Sequence, residues 1–402
     1  MEAMDISRIS AWLTEQGLKG TEESHLLTSF CEKCREAGLP LDRGMALMDT
    51  LHPIHEGRAF RWDSRETIEP VFEYGSTSDG EASETWQRSA FFYLWNNNGG
   101  EVRRRLGFGD PADFTMLEQL QASGHTDFVA MAQRFASAGT IGEMDCFFSH
   151  FATKHQDGFS EGDMLALREL VPTLGLAIKC VALGRIARTI AEVYLGDDAA
   201  RQVLEGKITR GKAERISAVL WFSDLVNYTS ISERAPPEEI IPFLNDYSDA
   251  VISAVHAADG NVLKLIGDGV LAIFKAEDPQ DACAAALRAE TLLRRRLETL
   301  NPERDGEGRP TTDVYLGLHI GDVFYGNIGS QDRLDFTVIG PAVNEVSRIA
   351  SMCRSVDRNI LMSSDFAAAV PQHLQPAVAS VGRYALRGVK RAQELFTLSR
   401  AE

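Results

Sequence analysis

Hydrophobic and polar positions divide the chain into three stretches of different periodicity. Up to about residue 165, short apolar runs rich in aromatic and branched residues alternate with breaks containing Gly, Ser and Asn, the mark of strands and turns. Residues 71–74, 91–95, 127–132 and 144–151 are the strands this predicts, after a helical stretch over 5–37 that ends at Gly38 and Pro40. From Ser160 the spacing changes. Met164, Leu167, Leu170, Val171, Leu174, Ile178, Val181, Ile186 and Ile190 recur mostly at three- and four-residue steps, which predicts a long helix with one apolar face. Ser160, followed three residues later by Asp163, supplies its N-cap. Such a helix could pair with its copy in a second chain or pack on its own domain. A short connector follows over 194–211. Beyond it lie a buried strand at 218–222, a long helix begun by Pro236 and Pro237, and two apolar runs around Gly267-Asp268-Gly269, which predict a β-hairpin. Residues 301–311 read as a polar loop. The organisation expected is a first domain over 1–165, a signalling helix and connector over 166–212, and a second domain over 213–402.

Composition narrows the class. The chain has 402 residues, 44% hydrophobic and 25% charged, in the range of globular domains. A net charge of −17 argues against a nucleic-acid or anionic-membrane surface, which wants clustered Lys and Arg. It leaves open the binding of one nucleotide, whose charge a divalent metal handles locally. No uninterrupted apolar run is long enough to span a membrane; 170–187 is broken by Pro172, Lys179 and Arg185, and the N-terminus lacks the order of a signal peptide. Six cysteines fit free thiols in a reducing cytoplasm, so a cytoplasmic location is expected. Cys31 and Cys34 form a lone C-x-x-C without a second pair and read as two thiols on a helix. His52, His55, His125, His150 and His155 are scattered and read as satisfied polar groups rather than metal ligands.

Two acidic residues carry the candidate chemistry. Asp224 ends a buried strand, and taken alone it is a turn or capping residue. Asp268 stands at the hairpin tip. If the hairpin lies beside that strand, the two carboxylates can hold two Mg²⁺ ions against a triphosphate. One ion would activate an attacking hydroxyl and the other would neutralise the leaving pyrophosphate.

Three motifs in order, the strand with Phe222-Ser223-Asp224, the hairpin Lys264-x-x-Gly267-Asp268-Gly269, and Phe336-Thr337-Val338-Ile339-Gly340-Pro341-Ala342-Val343-Asn344-x-x-x-Arg348, resemble a class III nucleotidyl cyclase catalytic domain over about 216–397. The resemblance implies an α/β (α+β) fold with a ferredoxin-like βαββαβ core. It implies that Asp224, the Leu225 backbone and Asp268 bind two Mg²⁺ or Mn²⁺ ions. Lys264 and Thr337 would read the adenine edge, a donor for N1 and an acceptor for the amino group. Asn344 and Arg348, four residues apart on one helix face, would serve the transition state, and the amides of Leu225, Val226, Asn227, Tyr228 and Thr229 would cradle phosphates. Guanylyl cyclases usually carry an acidic residue where Lys264 stands, so ATP is favoured over GTP. Thr337 resembles a subgroup that includes bicarbonate-responsive enzymes. The slot of a further phosphate-binding lysine falls on Val389, with Arg387 or Lys390 as substitutes. In this family the site lies between two catalytic domains, so a homodimer is implied. The first 165 residues, with their closing Gly158–Asp163 turn and long helix, resemble a GAF-type sensor close to PAS, implying an unknown small-molecule effector in a pocket with Trp62, Phe72, Phe92, Tyr93 or Trp95. The competing readings are a guanylate cyclase, a non-catalytic nucleotide-binding module, and a first domain that only dimerises.

Overall fold

The structure, a computed structural model, describes residues 1–135, 141–142, 144–275, 277–387 and 392–399. The chain divides into two units, Met1–Ile190 and Ala191–Glu402. The stretch 166–212, expected to form a connector of its own, is shared between them.

The first unit begins with two helices, α1 (Ala3–Lys19) and α2 (Glu23–Glu36), rather than the single one expected over 5–37. Gly20 is the break: it sits at φ 73°, a left-handed conformation that glycine adopts without a Cβ clash. Strands β1 (Arg43–Asp49), β2 (Gly57–Asp63) and β3 (Val71–Tyr74) follow, then helices α3 (Gly80–Gln87) and α4 (Ala90–Asn96). Strand β4 (Gly100–Arg104), helix α5 (Leu117–Ala122), strands β5 (Asp127–Arg134) and β6 (Cys146–Thr153), and helix α6 (Glu161–Leu195) complete it. The sheet order is β3-β2-β1-β6-β5-β4, all neighbours antiparallel. Residues 91–95 are helical, not a strand. Ser89 caps α4 by accepting from the Phe92 amide at 3.1 Å, and Phe91 and Leu94 are buried one turn apart. A five-residue apolar run has no period of its own to separate helix from strand.

Alternation along β1, β5 and β6 sends side chains to both faces of the sheet. Ala46, Met48, Val129, Met131, Phe147 and Phe151 pack with α1, α2 and α6 on one face. Leu47, Phe128, Ala130, Phe148 and Ala152 pack with α4 and α5 on the other. Helix α6 starts as read: the Ser160 amide donates to Asp163 Oδ2 at 2.9 Å, and the Asp163 amide to Ser160 Oγ at 3.2 Å. By length and composition α6 could cross a membrane, where the sequence reading found no span. Leu167, Leu170, Val171, Leu174 and Ile178 bury its inward face in the first unit's core, which accounts for its apolar character.

The second unit opens with helix α7 (Asp197–Leu204), then β7 (Ala213–Leu225), α8 (Tyr228–Ser232), α9 (Pro237–His256), β8 (Asn261–Ile266), β9 (Gly269–Phe274) and α10 (Pro279–Gly306). It continues with β10 (Val314–Gly329), β11 (Leu334–Ile339), α11 (Pro341–Val356), β12 (Ile360–Ser363), α12 (Ser364–Ala369), β13 (Val378–Tyr384) and β14 (Gln393–Leu398). The strand order is β13-β14-β12-β10-β7-β9-β8, with β11 paired to β10. Val219 and Trp221 of β7 face α9 and α10 in one core, while Ala218 and Leu220 face α7 and α11 in another. Helix α10 runs through residues 301–306, which had read as loop, because Arg304 there is buried and ion-paired to Asp246 and Glu239.

Candidate active site

The hairpin β8–β9 lies beside β7 as its sequence implied, with Ser223 opposite Val270. This pairing brings Asp224, one residue from the end of β7, against Asp268 in the turn. The Leu225 amide donates to Asp268 Oδ2 at 3.3 Å. The approach is close because Gly269 has no side chain: a Cβ there would meet the Ser223 carbonyl oxygen at 2.8 Å and Asp224 Oδ1 at 3.5 Å. Burial, then the hydrogen bond and negative charge of Asp268, push the Asp224 carboxyl up to about 7. The Leu225 amide and Arg354 pull it down, and are outweighed. Two carboxylates that resist joint ionisation form a site short of positive charge. Their all-oxygen donor set fits a hard divalent cation such as Mg²⁺ or Mn²⁺.

Lys264, on β8, is ion-paired with Asp335 of β11. Thr337, two residues further along β11 and so on the same face, is half-buried. Asn344 and Arg348 share the exposed side of α11, one turn apart, while Val346 and Ile349 bury the other side. Among the described residues neither makes a side-chain hydrogen bond or ion pair, with the aspartate pair or with any other residue. The loop after β7 is partly committed already: the Leu225 amide serves Asp268, and the Val226 amide donates to the Asp313 carbonyl at 2.9 Å. Asn227 is left-handed at φ 58°, and its side chain accepts from Arg354 at 2.8 Å. Tyr228 and Thr229 begin the five-residue helix α8. Val389 and Lys390 lie outside the described residues.

Sequence reasoning missed Asp335 and Arg354. Asp335 was findable, since residue i−2 of a strand shares the face of Thr337. Arg354 lies two turns beyond Arg348, and nothing local marks it.

Residues 212–400 match the family profile described as the adenylate and guanylate cyclase catalytic domain. An adenylate cyclase of Anabaena cylindrica is 38% identical over 157 residues, covering 38% of this chain and 30% of that protein. Adenylate cyclase 1 of Rhizobium meliloti is 30% identical over 177 residues, 42% of this chain and 26% of that protein. The chain thus spans less than a third of the length of these relatives. The crystal structure of the adenylyl cyclase CyaB from P. aeruginosa is 22% identical, covers 48% of this chain and 97% of that one, and has a TM-score of 0.43. The C-terminal part of the chain, residues 212–400, thus matches an adenylate and guanylate cyclase catalytic domain.

Proposed function

We propose that the second unit converts ATP to 3′,5′-cyclic AMP and pyrophosphate at a site shared between two copies of the chain. The observation that carries this is the Asp224–Asp268 pair, which burial and the closeness of the two carboxyls leave short of positive charge. Bound divalent ions would supply charge neutralisation at the triphosphate and a more acidic 3′-hydroxyl. Asp224, Asp268 and the Leu225 carbonyl would hold them. Lys264 would turn a donor to adenine N1 while keeping Asp335 as its counter-ion, and Thr337 would accept from the amino group. Asn344 would orient the ribose, and Arg348 would meet the charge growing on the α-phosphate. That Asn344 and Arg348 make no side-chain hydrogen bond or ion pair among the described residues supports a site completed by a second copy, which isologous pairing would make twice.

The strand order β10-β7-β9-β8 with α9 and α10 supports a ferredoxin-like core. The first unit reads as a GAF/PAS-like sensor over 1–165 with a transducing segment over 166–212 and the catalytic domain over 213–402; a cytoplasmic, effector-regulated homodimer is the assembly proposed. The test is cyclic nucleotide production from ATP and from GTP with Mg²⁺ or Mn²⁺. ATP is the expected substrate, and a folded dimer inactive on both refutes the enzyme. Mixing Asp224→Ala with Arg348→Ala chains should restore part of the activity; folded mixtures that stay inactive refute the shared site.

A further inference from the structure

The first unit holds a cavity of about 1140 Å³ between one face of its sheet and helices α3 and α4, somewhat larger than the usual small-molecule site. Its inner walls are apolar: Leu47, Phe91, Phe128 and Phe148 are buried and line it. Of the aromatics expected in a pocket, Phe72 and Trp95 do line it. Trp62 packs on the opposite face of the sheet, and Phe92 and Tyr93 are not among the lining residues.

At its base lies His150, 1% exposed. Neither ring nitrogen has a hydrogen-bond partner, although Phe91 stacks on the ring at 5.9 Å and Phe128 tilts against it at 5.3 Å. Buried polar groups are ordinarily paired, so this ring in the cavity lining is an unfilled donor and acceptor. Burial pushes its pKa down to about 3, so it is neutral and offers one of each.

Toward solvent the lining changes sign. Asp49, Glu56, Glu73, Glu81 and Asp145 line the outer part, and all are at least partly exposed. Among the described residues no Lys or Arg lines the cavity. The exposed rings of Phe72 and Trp95 stand with these carboxylates. Arg61 lies over the Phe72 ring, Arg134 over the Trp95 ring and Arg58 beside Glu73, so the preference for a cation over phosphates and carboxylic acids rests on Glu56, Glu81 and Asp145.

We propose that this cavity binds an aromatic amine, its ring among Phe91, Phe128 and Phe148 with a polar edge on His150, and its ammonium at the acidic mouth. This deepens the sensor reading of the first unit. Its test is direct binding, which can succeed or fail whatever the second unit catalyses.

The experiment is calorimetric titration of the full chain with tryptamine and with indole-3-acetate, which share a ring system and differ in charge. Tryptamine should bind at least ~10-fold more tightly, as charge complementarity in a partly enclosed site requires. Two variants check the anchors. Glu81 is exposed, so Glu81→Lys should fold normally and weaken tryptamine at least ~3-fold. His150→Phe should do the same by removing the polar partner. Indole-3-acetate binding as tightly as tryptamine, tryptamine failing to saturate at millimolar concentration, or unchanged binding in either folded variant overturns the proposal.

Discussion

Replacing Asp224 by Asn should stabilise the metal-free protein at neutral pH while abolishing activity. The carboxyl is raised from its ordinary 3.8 to about 7, chiefly by burial and then by Asp268. For a fully buried group that difference corresponds to about 4 kcal/mol. Asp224 keeps contact with solvent, so screening cuts the penalty to about 1–2 kcal/mol. The sign follows from linkage: a carboxyl raised in the folded state binds more protons there than when unfolded. Its contribution to stability therefore falls as pH rises from about 4 to 7 and is level outside that window. Thermal unfolding of wild type and Asp224→Asn, each with EDTA, should diverge over this window. By pH 7.5 the variant should melt about 2–8 °C higher, at about 2–4 °C per kcal/mol for a unit of this size. Adding Mg²⁺ should then raise the wild type and leave the variant nearly unmoved, since binding to the folded state alone stabilises it. Parallel pH curves for the two proteins, or an equal Mg²⁺ response, would refute the charge-deficit account of the pair.

Three further outcomes are expected. Gly317→Ala should lower the melting temperature, at about 1–3 kcal/mol of overpacking, and reduce cyclase turnover without touching substrate. A Cβ there would sit 2.6 Å from the Val346 carbonyl oxygen and 2.7 Å from the Ala350 amide nitrogen of α11, the helix that carries Asn344 and Arg348. Lys264→Met should cost under about 1 kcal/mol in a urea melt, because its pair with Asp335 is exposed, while KM for ATP rises; an unchanged KM would detach Lys264 from the base. Arg304→Met should cost about 2–3 kcal/mol by denaturant titration, less than the roughly 3–5 typical of a broken buried pair, because Arg309 stays 3.0 Å from Glu239.

The elements that carry the candidate residues were legible from short-range chemistry, whereas the roles of those residues rest on the resemblance of three ordered motifs to a cyclase domain. A Gly-Asp-Gly between two apolar runs can hardly be other than a hairpin tip, and its distance from Asp224 then depends only on which strand the hairpin joins. Helix α11 was equally readable, with Pro341 at its start and Asn344 and Arg348 one turn apart. What escaped has a common cause. Lys264 and Asp335 are 71 residues apart, and Arg354 and Asn227 are 127 apart, so only the folded sheet reveals those pairs. The run 91–95 is too short to show a helical period, and 301–306 reads as loop because the partners of buried Arg304 lie on another helix.

His150 marks a deeper limit. Its alternation with Phe148 on β6 gives the face of the sheet it occupies, and that face is apolar. A histidine there was expected to be a satisfied polar group, because burying an imidazole without a partner is unfavourable. Alternation determines which way a side chain points and says nothing of the volume it points into. That volume depends on how far α3 and α4 stand from the sheet, set by many side chains at once. An unsatisfied ring in a cavity lining is therefore invisible along the sequence and plain in the fold, so a ligand site whose anchor belongs to no motif has to be found from the cavity around it.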